Sequence, residues 1–396
     1  MQIKNIISSL ASEYFEDIVS LRRTIHQNPE LSFEEDNTSH LVQTKLEEWG
    51  IPFQSGYAGH GILGIIKGNN PKKKVVALRA DMDALPVNEQ TDIPFKSKKP
   101  GVMHACGHDV HTSTLLGTAR ILSEIKSQFE GTVLLIFQPA EELIPGGAKP
   151  MMDDGLFNEY TPELVIGQHV MPSMEVGTVG FKPGMYMASS DEIYLKVKGE
   201  GGHAAMPHLI NDTVLIASHI IVALQQVVSR YAMASIPSVL SFGKIIGDGA
   251  NNVIPSEVSI DGTFRTMNEV WRAEAKQHIR RIASSIAESM GATCDVIIKD
   301  GYPFLVNDEH ATATAREAAI DFLGEEKVVD MDIRMTAEDF AYFSQLYPSC
   351  FFRLGTGNKE QGINAPLHSP FFNVDENAIE TGMATMAWLA YSFMES

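Results

Sequence analysis

The hydrophobic pattern of this chain changes its period twice, and that limits the fold more than any other feature. Thr132 to Gln138 is an almost continuous apolar run, and Gly61 to Ile66, Lys74 to Ala80 and Glu163 to Gln168 are similar runs of strand length. Runs of this kind suit strands buried on both faces of a parallel sheet. Helical spacing surrounds them, over Leu10 to Gln27, Asn37 to Trp49 and Val110 to Ile125. Asn28-Pro29 stops the first of these helices, and Gly50 with Pro52 stops the second. Strands alternating with helices predict an α/β sandwich. After Lys182-Pro183-Gly184 the period changes. Asp191 to Lys198 alternates apolar and polar residues, as in a half-exposed antiparallel strand. A helix over Asp212 to Arg230 follows, then alternating strands at Ser238 to Ile245 and Glu257 to Arg265, a helix over Glu269 to Met290 and a strand at Thr293 to Ile298. Strand–helix–strand–strand–helix–strand is the ferredoxin-like order. From Asp308 the first pattern returns, with helices expected near Ala311 to Phe322, Ala337 to Leu346 and Glu376 to Met394.

The expected division is therefore an α/β domain in two parts, 1–184 and 300–396, interrupted by an α+β insertion at 185–299. A chain of 396 residues is long enough for two cores. A net charge of −19 opposes binding to phosphate backbones, and the basic islands at Lys72 to Lys74 and Lys96 to Lys99 sit beside turn signals. No nucleic-acid partner is expected. Three cysteines, Cys106, Cys294 and Cys350, are too few for a disulfide framework and fit a reducing cytoplasm. No apolar core of signal-peptide length follows the first residues, and no run approaches the ~20 apolar residues of a membrane span. The expected location is cytoplasmic, with no membrane partner.

Chemistry concentrates in Met103-His104-Ala105-Cys106-Gly107-His108-Asp109-Val110-His111. Cys106 and His108 share a glycine-containing loop ahead of a helix, which lets both side chains turn to one point. Glu141-Glu142 leaves the strand Thr132 to Gln138, His169 ends the strand Glu163 to Gln168, and His368 lies in Pro366-Leu367-His368-Ser369-Pro370. Adjacent residues leaving a strand point in different directions, so one of the two glutamates can bind metal while the other faces an attacking water. Thiolate, imidazole and carboxylate together suit zinc and its transition-metal neighbours. All of these positions follow a strand or begin a helix, where ligands gather in open α/β sheets. Asp81 and Asp83, two residues apart after Lys74 to Ala80, point the same way and suit orienting a metal-bound histidine. In the insertion, His203 on a glycine-rich loop, the amides of Asn251-Asn252 and Arg265 at a strand end suit an oxyanion and a substrate carboxylate. Each has a plainer use alone: loop histidine, turn asparagine, surface arginine.

These motifs together resemble a known family. Arg22-Arg23-Thr24-Ile25-His26-Gln27-Asn28-Pro29-Glu30-Leu31-Ser32, Arg79-Ala80-Asp81-Met82-Asp83-Ala84-Leu85-Pro86, His104 to Asp109, Gln138-Pro139-Ala140-Glu141-Glu142, Gly202-His203-Ala204-Ala205, Asn252-Val253-Ile254-Pro255, Gly262 to Thr266 and Leu367-His368-Ser369 occur in order over nearly the whole chain. The chain is similar to the amidohydrolase branch of the dinuclear metallopeptidases, which contains hippurate hydrolase, N-acetyl-amino-acid deacetylases and plant indole-acetyl-amino-acid hydrolases. The resemblance implies a mixed-sheet α/β catalytic domain of zinc-exopeptidase type, with an inserted ferredoxin-like dimerisation, or lid, domain. It implies two divalent metal ions per subunit, zinc or manganese first, cobalt or nickel as further candidates. Cys106 would bridge them, with His108, Glu142, His169 and His368 completing the ligands. Glu141 would be the general base, and Asp83 would steady a ligand. Asn252 and Arg265 would hold substrate, and His203 would reach the site of a neighbouring subunit in a homodimer or higher oligomer. The implied reaction is hydrolysis of an N-acyl amino acid. A dipeptidase or aminopeptidase with the same centre and a non-catalytic metal-binding homologue are the alternatives.

Overall fold

A computed structural model describes residues 2–395. They form two compact units. One contains the chain up to Tyr186, Val306–Asp332 and the part from Tyr342 onward, and the other contains Met187–Leu305 and Ile333–Ala341. The short return segment Ile333–Ala341 carries no change of period that would mark it in the sequence.

The first unit is built on a mixed sheet of eight strands: β1 (Phe53–Tyr57), β2 (Gly61–Lys67), β3 (Val75–Asp81), β4 (Thr132–Gln138), β5 (Leu164–Glu175), β6 (Val179–Phe181), β7 (Val328–Asp330) and β8 (Ser349–Gly357). Their order across the sheet is β1-β2-β4-β3-β5-β8-β6-β7. The middle strands β4, β3, β5 and β8 are parallel, and β2 joins β4 antiparallel. All seven residues of β4 are buried, as its continuous apolar run requires. Five helices of this unit matter here: α1 (Gln2–Gln27), α2 (Asp36–Glu48), α3 (His108–Glu124), α4 (Glu309–Leu323) and α5 (Asn377–Glu395). Helices α1, α3 and α5 pack on one another, and α3 and α5 also pack on β3. Helix α3 is buried on nearly every side, which is the condition of a helix in the middle of a layer.

The second unit holds a four-stranded antiparallel sheet in the order Ser238–Ile246, Glu257–Thr266, Asp191–Lys198, Thr293–Asp300. Helices Thr213–Leu224 and Glu269–Ser289 cover it, with Ile193, Leu195, Ile216, Ile220, Ile260 and Ile279 in its core. Asp212 and Asn268 cap the two helices, each accepting a backbone N–H three residues on. Sheet order and connection are those of the ferredoxin-like unit.

Two expectations need correction. The helix foreseen at Ala337 to Leu346 shrinks to Ala341–Ser344. Phe340 N–H donates to the Glu338 carboxylate instead of entering a helical ladder, a side-chain bond that competes with helix formation. The stretch Thr213–Tyr231 is long and apolar enough, by length and composition alone, to cross a membrane, although no such run was anticipated. One side of it, through Ile216, Ala217, Ile220 and Leu224, is buried in the core of its own unit.

Candidate metal-dependent active site

The parallel strands of the first unit end at one edge, and their last residues and following loops supply the site. Strand β3 delivers Asp81 and, two residues on, Asp83. Arg79 Nη1 donates to Asp81 Oδ2 at 2.7 Å and Arg79 Nε to Gln138 Oε1 at 2.9 Å, tying the ends of β3 and β4 together. Val170 N–H donates to His111 Nε2 at 2.9 Å. The proton of that ring is thereby placed on Nδ1, which donates to Asp81 Oδ1 at 2.6 Å. Both nitrogens of His111 are engaged, so it is a strut between β3 and β5.

Asp83 is a hub. Its carboxylate accepts Ser32 Oγ–H at 2.6 Å and the backbone N–H groups of Glu141 and Glu142 at 3.0 and 2.9 Å. His108 Nδ1 lies 3.2 Å from Asp83 Oδ1, an arrangement that fixes the ring and turns Nε2 to the site. Burial opposes the His108 charge, but Asp81, Asp83 and Glu142 outweigh it and push its pKa up to about 10. The loop that brings Cys106 and His108 together depends on Gly107, whose φ is +83°. A Cβ there would also lie 2.6 Å from Val170 Cγ2, so backbone freedom and close approach both require glycine.

From β5 comes His169, whose Nδ1 donates to Val170 O at 2.8 Å, leaving Nε2 as the lone-pair nitrogen 3.5 Å from Cys106 Sγ. Burial, then the Arg353 charge, holds the His169 pKa well below the usual range, so the ring is neutral, as a ligand must be. His368 has a φ of +64°, and its N–H is tied to Ala105 O at 2.8 Å. Its Nε2 lies 3.3 Å from Glu142 Oε1. A non-glycine residue in this region is a strained position held by its surroundings.

Among the donor groups of the described residues, three overlap here, each with its ligand atoms within 4.8 Å of one another: Cys106 with His108 and His169, Cys106 with Glu142 and His368, and His108 with Glu141 and Glu142. The donors fit a cation. Buried His108 Nε2 and Glu142 Oε1 lack a hydrogen-bond partner among the described residues. Burial, then the Glu142 and Glu141 charges, pushes the Cys106 thiol well above its ordinary range, a penalty that a bound cation reverses.

Six of the residues foreseen from sequence, with Asp83, thus meet in the first unit. The other three lie in the second. His203 and Asn252 belong to adjoining segments: His203 opposes Val253 in a two-strand ladder, and Ala204 N–H donates to Asn252 O at 2.9 Å. Ala205 N–H donates to His203 Nδ1 at 3.1 Å, which puts the ring proton on Nε2. Arg265 lies opposite Val239 on Glu257–Thr266, half-buried, and burial lowers its pKa. Sequence reasoning gave no role to the His111 strut, to Glu35, or to His104, which is buried with neither nitrogen hydrogen-bonded. For His111 the signal was present, in the spacing His108–His111 of one helical turn.

A largely buried set of thiol, imidazole and carboxylate donors at the strand ends of an α/β unit is the donor set of a metal-dependent hydrolase. Comparison with known proteins narrows this. The pattern of peptidase family M20/M25/M40 matches residues 77–392. An IAA-amino acid hydrolase of Arabidopsis thaliana (ILR1-like 5) is 38% identical over 397 residues, covering 99% of this chain and 90% of its own. An N-acetyl-L-cysteine deacetylase of Bacillus subtilis is 39% identical over 362 residues, covering 91% and 84%. The crystal structure of Bacillus subtilis YXEP, described as a dinuclear metal-binding peptidase of family M20, superposes with a TM-score of 0.83 at 34% identity, covering 97% of this chain and 99% of its own. The chain belongs to peptidase family M20/M25/M40 and is a hydrolase of amide bonds.

Proposed function

We propose that the protein hydrolyses N-acyl amino acids to a carboxylic acid and an amino acid, using two divalent metal ions. One observation carries the two-ion reading: the Cys106 sulfur belongs to two donor groups at once, one with His108 and His169 and one with Glu142 and His368. With two ions bound, that position would let the Cys106 thiolate serve both. The thiolate and imidazoles suit zinc and the carboxylates suit manganese, with cobalt or nickel behind them. When bound, the ions polarise the scissile carbonyl and lower the pKa of the attacking water.

The chain's own residues do the rest. Glu141 takes the proton of the water as its oxygen adds to the carbonyl carbon, then returns it to the nitrogen as the C–N bond breaks. Asp83 holds the backbone of Glu141 and Glu142 and the ring of His108 together. The Nε2–H of His203 donates to the developing oxyanion, Arg265 pairs with the carboxylate of the amino acid, and Asn252 adds a side-chain amide. His203 comes from a neighbouring subunit. Support for a homodimer lies in the second unit, where Leu215, Val222, Ile245 and Ile246 stand 47, 73, 50 and 49% exposed on the apolar helix and on an edge strand. Unpaired edges and apolar patches of this kind are normally covered. Three free cysteines support a reducing compartment such as the cytoplasm.

The test is turnover by the metal-loaded protein on N-acetyl, N-benzoyl and indole-acetyl amino acids beside simple dipeptides, with a chelated sample as control. Hydrolysis of the acylated series, lost on chelation, is expected. Turnover of dipeptides alone would overturn the substrate assignment, and full activity in the chelated sample would overturn the metal assignment.

A further inference from the structure

One fully buried acid has no part in the chemistry above. Glu35 precedes α2 at the N-cap position, yet makes no cap bond to that helix. Its Oε1 instead accepts two backbone N–H groups, Phe33 at 3.1 Å and Ala140 at 2.8 Å. These two donors share an unusual property: Phe33 has a φ of +65° and Ala140 a φ of +56°. Residues with a Cβ enter that region at a cost and persist there only when their surroundings hold them. Oε2 has no hydrogen-bond partner among the described residues. Burial, then the charge of Asp83, pushes the Glu35 pKa up to about 8, so near neutrality it is a neutral acid with one accepting oxygen.

Asp83 takes the N–H groups of Glu141 and Glu142, and Glu35 takes that of Ala140. Two buried carboxyl groups from separate parts of the chain therefore hold three consecutive backbone donors. Between them they fix the turn that carries the base and a metal ligand.

We infer that Glu35 is a positioning residue that holds Ala140 in its left-handed conformation, and thereby aims Glu141 and Glu142. The inference rests on the roles proposed above for those two residues. Its chemistry is one accepted hydrogen bond at a strained residue, so the neutral amide should replace the acid and an apolar isostere should not. Glu35→Gln keeps an accepting oxygen. Glu35→Met has similar length and accepts nothing. Glu35→Asp stays polar but withdraws the carboxyl by one methylene, and serves as the second disruptive variant where Glu35→Met folds poorly.

Two readouts are measured on the full-length, metal-loaded protein: kcat with KM, and amide hydrogen exchange over residues 138–142, which needs no turnover. Glu35→Met and Glu35→Asp should lower kcat by about tenfold or more with little change in KM, since small misplacements of a catalytic group are costly, and should speed exchange in that segment. Glu35→Gln should stay within about threefold of the parent on both. Ala140→Gly should restore part of the lost kcat in the Glu35→Met protein, because glycine adopts the left-handed conformation freely. Unchanged exchange and kcat in folded Glu35→Met or Glu35→Asp protein would overturn the inference, as would a Glu35→Gln protein as impaired as Glu35→Met. Glu141→Gln run in parallel separates the two levels. If it retains parental kcat, the base assignment fails, while the exchange data still report whether Glu35 holds the turn.

Discussion

The roles proposed for Glu141 and Glu142 divide two duties within one dipeptide. Their N–H groups are both held by Asp83, and both carboxylates share a donor group with His108, but only Glu142 also shares one with Cys106 and His368. Glu141→Gln should therefore keep most of its metal and lose ~10²–10⁴-fold in kcat, whereas Glu142→Gln should lose metal. Elemental analysis beside kcat reads both, and equal metal loss in the two variants would mean the duties are not divided. Glu35 gives a pH signature of its own. Its pKa is raised by burial and by Asp83 to about 8 in the folded chain, against 4.5 for an ordinary glutamate. Between those values the folded state binds the proton more tightly than the unfolded state. The contribution to stability is complete below about pH 4.5 and is lost as pH rises through about 8. Glu35→Gln carries no proton to lose, so its stability relative to the parent should improve as pH rises across that window. A difference independent of pH, from urea titrations at several pH values, would contradict the assignment.

At the scale of elements, the sheet of the second unit is anchored by a buried ion pair. Asp191, at the start of its strand, receives Arg272 Nε at 2.8 Å and Nη2 at 2.7 Å from helix Glu269–Ser289. Lys276 Nζ approaches the same carboxylate at 2.9 Å. Arg272→Met leaves Asp191 buried with Lys276 alone. Breaking a buried pair by removing one partner costs about 3–5 kcal/mol, and the surviving lysine places this loss near the lower end. Trp271, the tryptophan of this unit, lies in its core and reports its unfolding by fluorescence. An unchanged urea midpoint would show that the pair contributes nothing. Legibility in the sequence followed the same physics. Strands β3 and β4 and the strand Asp191–Lys198 were readable because the period of their apolar residues matches their burial. So was the gathering of Cys106, His108, Glu142, His169 and His368 at one place, because these donor types cluster at strand ends and helix starts. Strand β8 was not readable: its nine residues are all buried, yet they include Ser349, Arg353 and Thr356. Arg353 Nε donates to Tyr186 Oη at 2.7 Å, a partner 167 positions away in sequence. Glu35 was illegible for the same reason, since its role arises from partners that only the fold brings to it.

For the whole molecule, the second unit poses the main question. It carries His203, Asn252 and Arg265 together with the apolar helix Thr213–Leu224 and the edge strand Ser238–Ile246, on which Val222, Ile245 and Ile246 are exposed. An edge strand offers unpaired backbone groups, and pairing with its own copy satisfies them while burying the apolar side chains. A two-fold interface of this kind lets each subunit lend residues to the other. If His203 serves a neighbour's site, loss of one oxyanion donor should cost ~10²–10³-fold in rate, and His203→Ala should be nearly inactive with its metal intact. Mixing it with Glu141→Gln protein, under conditions in which subunits exchange, creates a hybrid in which one site has both an intact Glu141 and an intact His203 from its partner. Activity should reappear in the mixture and rise with the fraction of hybrid, which native mass spectrometry counts directly. A mixture that stays silent while hybrids are abundant would place His203 in its own subunit's site or outside catalysis.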